Sequence, residues 1–210
     1  MPKKPAPKRK RGRPPKLSNV KAHWKRAWSL AKSVDSHYAM RPEEQEVAFK
    51  HALALPKKAV IVELGVTHGK TGILLAYAAD ALSGTYTGVD NFSLEGSAKT
   101  VKKTLRDRKL TGTILEGNTA DVPWKANIDY LLIDAGHDRL NIAADCDRWL
   151  PFLKPGALVL FHDYNPEIDE SDPHYHVKYY ADFHTKSWKQ VDYVPYLSIR
   201  QKPDKNTRVL

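Results

Sequence analysis

The feature that most constrains the fold is a regular alternation of short apolar runs with helical patterns between residues 59 and 161. The clearest apolar runs cover residues 59–64, 130–133 and 157–161, and none of them alternates polar with apolar side chains. Strands of this kind are buried on both faces, which is typical of a parallel sheet covered by helices on both sides. The alternation predicts an α/β fold, Rossmann-like and doubly wound.

The same patterns give the positions of the elements. Strands are predicted over residues 59–64, 85–89, 113–115, 130–133 and 157–161, with a closing pair over 188–194 and 197–201 around Pro195. Helices are predicted over residues 18–36, 42–53, 69–82, 97–109, 141–153 and 176–186. We therefore expect a mostly parallel seven-stranded sheet whose last strand is antiparallel.

Four of the predicted strands finish in ionisable residues, namely Glu63, Asp90, Asp134, and His162 with Asp163. In open α/β sheets, ligands bind at the carboxyl ends of the strands, which all lie at one edge. Gathering such groups there would destabilise the sheet unless something binds to them. The pattern therefore predicts a binding site at this edge.

Length and composition limit the setting of the protein. The 210 residues suit one domain with some additional chain, and no apolar run approaches the roughly 20 residues that cross a bilayer. The single cysteine, Cys146, cannot form an internal disulfide, which favours a reducing compartment. These features predict a cytoplasmic protein without membrane contact.

Positive charge is concentrated at the start of the chain. Residues 1–34 contain 12 of the 34 lysines and arginines and no acid, so residues 35–210 carry 22 basic and 24 acidic residues. Residues 1–16 are rich in proline, lysine and arginine and have nothing to bury. We expect a disordered basic arm that leads through an amphipathic helix (together residues 1–34) into a domain over residues 35–210.

The centre of the arm reads Lys10-Arg11-Gly12-Arg13-Pro14 and resembles the AT-hook. In that family a Gly-Arg-Pro core lies in the minor groove of A·T-rich DNA. Glycine permits close approach, and the narrow groove concentrates the negative potential that attracts arginine. The resemblance implies contact with A·T-rich DNA and hence association with a nucleoid, or with the nucleus in a eukaryote. The alternatives are a solvated basic tail and an import signal.

The loop after the first strand disfavours one common class of cofactor, the nicotinamide dinucleotides. Residues 62–69 form a strand, a glycine turn and a helix start, but they lack the G-x-G-x-x-G phosphate fingerprint. Glu63 would repel a pyrophosphate, so a nicotinamide dinucleotide is disfavoured. A cofactor with a cationic amino-acid end fits better, and Asp90 is placed to accept hydrogen bonds from two ribose hydroxyls.

With these residues the chain resembles the class I S-adenosylmethionine (SAM)-dependent methyltransferases over residues 42–201. The family's acid-x-Gly-x-x-x-Gly loop is matched by Glu63, Gly65 and Gly69, and the acid ending its second strand by Asp90. Its loop after the third strand corresponds to residues 117–119, where Asn118 stands in place of the commoner aspartate. The resemblance implies SAM as cofactor and the following cofactor-binding residues: Glu63, Gly65, Thr67, Gly69, Asp90, Asn91, Asn118 and Asp134.

The ends of strands four and five resemble one branch of these enzymes, the cephalosporin-hydroxylase-like and macrolide-sugar O-methyltransferases. In that branch an aspartate and an acidic pair hold Mg²⁺, and these positions are Asp134, Asp163 and, in place of the first acid of the pair, His162. Imidazole is a poorer ligand for Mg²⁺ than carboxylate, so Mn²⁺ is the alternative metal. The branch also implies catalytic roles for Asp134 and for His137, which would act as the general base.

These observations predict a SAM-dependent O-methyltransferase, assisted by a divalent metal, that acts on a hydroxyl of a small molecule or sugar. The alternatives are a DNA methyltransferase and a non-catalytic DNA-binding module on the same fold. Amine-directed DNA methyltransferases carry an Asn/Asp-Pro-Pro-aromatic motif at the end of strand four. Residues 134–137 read Asp-Ala-Gly-His instead, which disfavours a nucleobase acceptor.

Overall fold

The computed structural model of the protein describes residues 19–204, so the AT-hook-like residues 10–14 lie outside the described residues. The helices are α1 (Val20–Ala31), α2 (Pro42–Leu53), α3 (Lys70–Ala81), α4 (Ala98–Asp107), α5 (Arg139–Trp149) and α6 (Tyr175–His184). The strands are β1 (Val60–Leu64), β2 (Thr85–Asp90), β3 (Thr113–Glu116), β4 (Ile128–Ile133), β5 (Leu153–Tyr164), β6 (Lys189–Val194) and β7 (Tyr196–Gln201). Within residues 19–204 no helix is long and apolar enough to span a membrane.

The seven strands form one sheet in the order β3-β2-β1-β4-β5-β7-β6. The first five strands in that order are parallel, and β7 runs antiparallel to both of its neighbours. The expected α/β, Rossmann-like sheet with an antiparallel last strand is therefore confirmed.

Helices cover both faces of the sheet. On one face, α2 to α4 pack on the sheet through buried side chains such as Phe49, Leu74 and Val101, and α1 packs on α2 and α3. On the other face, α5 and α6 do so through Trp149, Ile142 and Val177. The doubly wound arrangement buries β1 and β4 on both sides, which accounts for their unbroken apolar sequences.

Helix α1 belongs to the packed body even though the sequence groups it with the basic arm. Ala27 and Ala31 are fully buried, and Trp24 packs against Phe49 with ring centroids 5.6 Å apart. Trp28 in turn stacks on Trp24. Removal of α1 would therefore expose core residues, so a deletion that tests the arm alone has to end before residue 19.

Helix α5 is shifted from its predicted range of 141–153. It begins earlier because the Asp138 side chain accepts hydrogen bonds from the backbone N–H groups of Leu140 and Asn141 and caps the helix. It ends at Trp149 because Pro151 cannot donate a helical hydrogen bond, and a short 3₁₀ turn, Leu150–Phe152, follows. The early start brings residues 134–138 to the edge of the sheet as a loop.

Asp145 on α5 is a fully buried carboxyl group outside the cavity described below. Neither of its oxygens accepts a hydrogen bond of normal geometry, and burial raises its pKa to about 6 despite the nearby Thr119. The folded protein therefore keeps a proton here that the unfolded chain loses at lower pH. The protonated Asp145 therefore contributes to the free energy of unfolding at acidic pH, and this contribution is lost as the pH rises through about 6.

We expect Asp145→Asn, which cannot ionise, to be more stable than the wild type by about 2–3 kcal/mol at pH 8 and nearly equal to it at pH 4. Urea unfolding at several pH values measures the difference. Asp147→Asn, two positions away on the exposed side of the helix, is the matched control and should show no such trend. A stability difference that does not change with pH would contradict the assignment.

Candidate functional site

A cavity of about 840 Å³ lies at the carboxyl ends of β1, β2, β4 and β5, which is large enough for a nucleoside cofactor with a small acceptor. Nearly all of the predicted site residues line it, namely Glu63, Gly65, Thr67, Asp90, Asn91, Asn118, Asp134, His137, His162 and Asp163. Gly69 does not line the cavity: it is buried at the start of α3, where a Cβ atom would meet Val101. Its contribution is to the packing of the loop on α4.

The loop between β1 and α3 forms the floor of the cavity. Gly65 adopts a φ of +85°, and a Cβ atom there would overlap the backbone carbonyl of Asp134 on the neighbouring strand. Glycine is therefore required for the loop to pass directly over the end of β4. This close approach brings the first loop and Asp134 into the same site.

Asp90 holds that loop in shape. One of its carboxylate oxygens accepts hydrogen bonds from the backbone N–H groups of Val66 (2.6 Å) and Thr67 (2.8 Å), and the other accepts one from Phe92 (2.6 Å). The sequence assigns Asp90 only to ribose hydroxyls, whereas the structure adds this role in the loop. A carboxylate has about four acceptor positions, so it retains capacity for a ligand.

Glu63 is a buried acid of the site, with 1% of its surface exposed. Its carboxyl group accepts a hydrogen bond from the Tyr86 hydroxyl, and burial raises its pKa well above the usual value. A cation brought into the cavity beside Glu63 would favour the ionised carboxylate.

Asn91 and Asn118 lie at the rim of the cavity. Their side-chain oxygens accept hydrogen bonds from the backbone N–H groups of Ser93 and Ala120, respectively. These bonds fix the orientation of both amides and leave their Nδ2 groups as the donors that face a ligand.

At the other end of the cavity, Asp134 and His162 are neighbours across the sheet. The register pairs Ile133 with Phe161, so the next residue of each strand stands side by side at the edge. His162 Nδ1 donates to Asp134 Oδ1 (2.7 Å) and also lies 3.2 Å from Asp163 Oδ2. Three potential ligand atoms, one from each of these residues, lie within 4.8 Å of one another.

A bulge in β5 brings Asp163 into this group. The prediction ended the strand at residue 161, but β5 continues to Tyr164 with a register shift between His162 and Tyr164. Asp163 has a φ of +57°, outside the extended range. Consecutive residues of a regular strand face opposite sides, so the bulge explains why both His162 and Asp163 line the cavity.

His137 is held by Asp163. His137 Nε2 lies 2.8 Å from Asp163 Oδ2. The other ring nitrogen, Nδ1, takes no part in this hydrogen bond. Burial would lower the pKa of His137, but the hydrogen bond to Asp163 outweighs it and raises the pKa. Burial would likewise raise the pKa of Asp163, but hydrogen bonds from His137 and His162 hold it far below its usual value.

Glu44 on α2 is a site residue that the sequence does not reveal. The sequence explains it as an acid favoured by the helix dipole, but its side chain is 1% exposed and lies 3.3 Å from His162 Nε2. Arg41 donates to its other oxygen. Burial would raise the pKa of Glu44, but hydrogen bonds from His162 and Arg41 lower it.

Burial would lower the pKa of His162, but the charge of Asp134 raises this pKa well above its usual value.

The mouth of the cavity near His137 is polar and aromatic. His174 packs against His137 with ring centroids 5.2 Å apart, and Arg41 lies 4.6 Å over the ring of Tyr196. Tyr38, from the segment between α1 and α2, also lines this end. No sequence motif marks these side chains as part of the site, because the segments that carry them lie far apart in the chain.

Residues 62–164, from β1 to the end of β5, match a protein-family model described as a methyltransferase domain. The fold is similar to that of the O-methyltransferase TomG from Streptomyces achromogenes, involved in tomaymycin synthesis and solved with SAM. The two share 16% identity and a TM-score of 0.61 over 86% of this chain and 89% of that one. An O-methyltransferase from Bacillus cereus, solved with S-adenosylhomocysteine (SAH), gives 15% identity and a TM-score of 0.61 over 90% and 92%.

Cofactor-bound Rv0187 from MTB gives 14% identity and a TM-score of 0.65 over 90% of this chain and 94% of that one. No curated protein sequence matches the chain significantly. The sheet order and these similarities show that the chain has the same fold as these proteins. The solved structures to which the fold is similar include O-methyltransferases with SAM or SAH bound.

Proposed function

We propose that the protein is a SAM-dependent O-methyltransferase that methylates a hydroxyl group of a small molecule or sugar, assisted by a divalent metal. The observation that supports this most strongly is the convergence of Asp134, His137 and Asp163 in the same cavity as the first loop. A SAM-dependent enzyme needs to bind the cofactor, align the acceptor and remove one proton, and the cavity has a group for each task.

The cofactor end of the cavity fits SAM by its charge. Glu63 and Asp134 place carboxyl groups there, which suits a ligand with a cationic amino-acid end and repels a pyrophosphate. Asp90 would accept hydrogen bonds from the ribose, and the Asn91 and Asn118 amides would contact the nucleoside. SAM, when bound, supplies the methyl group.

At the acceptor end, His137 removes the proton. Its Nε2–H donates to Asp163, which fixes the ring and leaves Nδ1 to take the proton of the acceptor hydroxyl. Asp163 stabilises the imidazolium that forms, as a carboxylate beside a catalytic histidine does in other enzymes. The Arg41, Tyr196 and His174 side chains at the mouth would orient a polar acceptor.

The residues present also fit a divalent metal. Asp134, His162 Nδ1 and Asp163 would hold it, and His162 Nε2–H bonded to Glu44 is the orienting arrangement that metal-ligating histidines usually have. One imidazole among two carboxylates suits Mn²⁺ better than Mg²⁺. Such an ion lowers the pKa of an alcohol bound to it.

The basic arm is proposed to contact nucleic acid, with A·T-rich DNA as the form that its Gly-Arg-Pro core would favour. This contact rests on the sequence of residues 10–14. It is separate from the chemistry of the cavity, since every proposed catalytic residue lies between residues 134 and 163.

The cofactor assignment is tested by binding of SAH, measured by calorimetry. We expect micromolar affinity for the wild type, and we expect Asp90→Ala to weaken it by about 10- to 200-fold because both the ribose contact and the loop are lost. Asp147→Ala, a change at an exposed aspartate that does not line the cavity, is the control and should leave the affinity nearly unchanged. Binding of NADH without binding of SAH would contradict the proposal.

A further inference from the structure

Two helices of the folded body present an excess of positive charge. The exposed cations are Lys21, Lys25 and Arg26 on α1, Lys32 directly after it, and Lys99, Lys102, Lys103, Arg106 and Lys109 on α4 and the turn that follows it. Helix α1 has no acid, and α4 has only Asp107, which is paired with Lys103. Ordinary helix surfaces intersperse both signs of charge, so this imbalance is a feature of the two helices.

Arg108 joins the carboxyl ends of the two helices, and their exposed cations are together called the α1–α4 face. Its Nε donates to the backbone carbonyl of Leu30 (2.6 Å), and its guanidinium also bonds to the Ser33 hydroxyl (3.1 Å). The carboxyl ends of α1 and α4 therefore meet. Helix α1 has 12 residues and α4 has 10, which gives lengths of about 18 and 15 Å. Their summed length is comparable with one turn of a duplex, about 34 Å.

The cations of this face stand on a body whose total charge is close to zero. Residues 35–210 carry slightly more acids than bases in total, so the cations of α4 are balanced by acids elsewhere on the body. A separation of charge of this kind orients a polyanion toward the basic side. The basic arm directly precedes α1 in the sequence, so its lysines and arginines are close along the chain to those of α1.

We propose that the α1–α4 face binds the phosphodiester backbone of a nucleic-acid duplex and continues the contact proposed for the arm. The face also borders the cavity, because Lys70 lines the cavity and lies 5.8 Å from the Trp28 ring on α1. A duplex on this face would lie near the part of the cavity that Lys70 lines. The inference does not depend on methyl transfer.

The test uses the full chain and a fluorescent duplex of about 20 base pairs, as A·T-rich DNA and as RNA, with affinity measured by anisotropy at several salt concentrations. We expect Lys99→Gln/Lys102→Gln/Arg106→Gln to weaken binding by on the order of 10- to 100-fold at about 100 mM salt, and to lower the salt slope by about 2–3. The control, Lys57→Gln/Lys125→Gln/Lys189→Gln, removes the same charge from exposed sites elsewhere and should bind nearly as the wild type.

A chain lacking residues 1–18 should retain weaker binding that still depends on the α4 lysines. The proposal would be overturned if the α4 variant and the control bound the duplex equally and the deletion of residues 1–18 abolished duplex binding. All contact would then belong to the arm. Binding to phosphatidylserine vesicles but to neither duplex would also overturn it. SAH calorimetry on each variant reports its fold, and failure of the wild type to bind SAH would count against the proposed activity alone.

Discussion

Replacement of His137 by Ala is expected to lower the rate of methyl transfer by about 10²–10⁴ while leaving SAH affinity nearly unchanged. The side chain lies at the acceptor end of the cavity, bonded to Asp163, and the cofactor residues of the first loop do not depend on it. The substitution therefore removes a proton acceptor and leaves the binding site. The rate is measured as release of SAH with a panel of sugars and small phenols, and the affinity by calorimetry.

His174→Ala is the matched control for this variant. His174 packs against His137 and lines the same cavity, but it is paired with Asp172 on its own loop rather than with Asp163. Its loss should alter the KM for the acceptor more than the turnover. If both histidine variants lost turnover equally, or if His137→Ala kept full turnover, His137 would not be the base.

The strand ends show how much of the site the sequence can predict. Asp90 and Asp134 were located because the carboxyl ends of parallel strands meet at one edge of the sheet, whatever the details of packing. His162 was located for the same reason, and the register confirms that it stands beside Asp134. Rules that depend only on the order and direction of strands therefore sufficed for this part of the site.

The orientation of the Asp163 side chain does not follow from the order and direction of the strands. Strand periodicity alone would place it on the face opposite to His162, and only the bulge at φ +57° brings the two side chains together. A bulge depends on how β5 pairs with β7, some 35 residues further along the chain. Local sequence carries no clear signal of it.

Glu44 and the contribution of α4 to the α1–α4 face could not be predicted for a second reason. The sequence explains Glu44 fully as an acid in the first turn of a helix, and its contact with His162 joins residues 118 positions apart. Likewise, the sum of charges over residues 35–210 is close to zero, which conceals the cations that α4 presents next to α1. Totals taken along a chain do not show which charges share a surface.

The second large effect is expected when a proposed metal ligand is removed. Asp134→Asn is expected to abolish both activity and the response to added metal, because it removes one of two carboxylates that face His162 Nδ1. For the wild type, EDTA should stop SAH release, and Mn²⁺ should restore it more effectively than Mg²⁺. Binding of Mn²⁺ itself, followed by its electron paramagnetic resonance signal, gives a readout that does not require turnover.

His162→Asp is the informative companion to that variant, because it changes the metal preference rather than removing a ligand. Aspartate at this position restores the acidic pair of the resembled O-methyltransferase branch, so the preference should move toward Mg²⁺, which favours oxygen ligands. Asp134→Asn should lose Mn²⁺ binding in the same assay, whereas His162→Asp should keep a metal site. Full activity of the wild type in EDTA, without a Mn²⁺ signal, would instead mean that the protonated His162 ring, held by Asp134, Asp163 and Glu44, is the resident cation of this cavity.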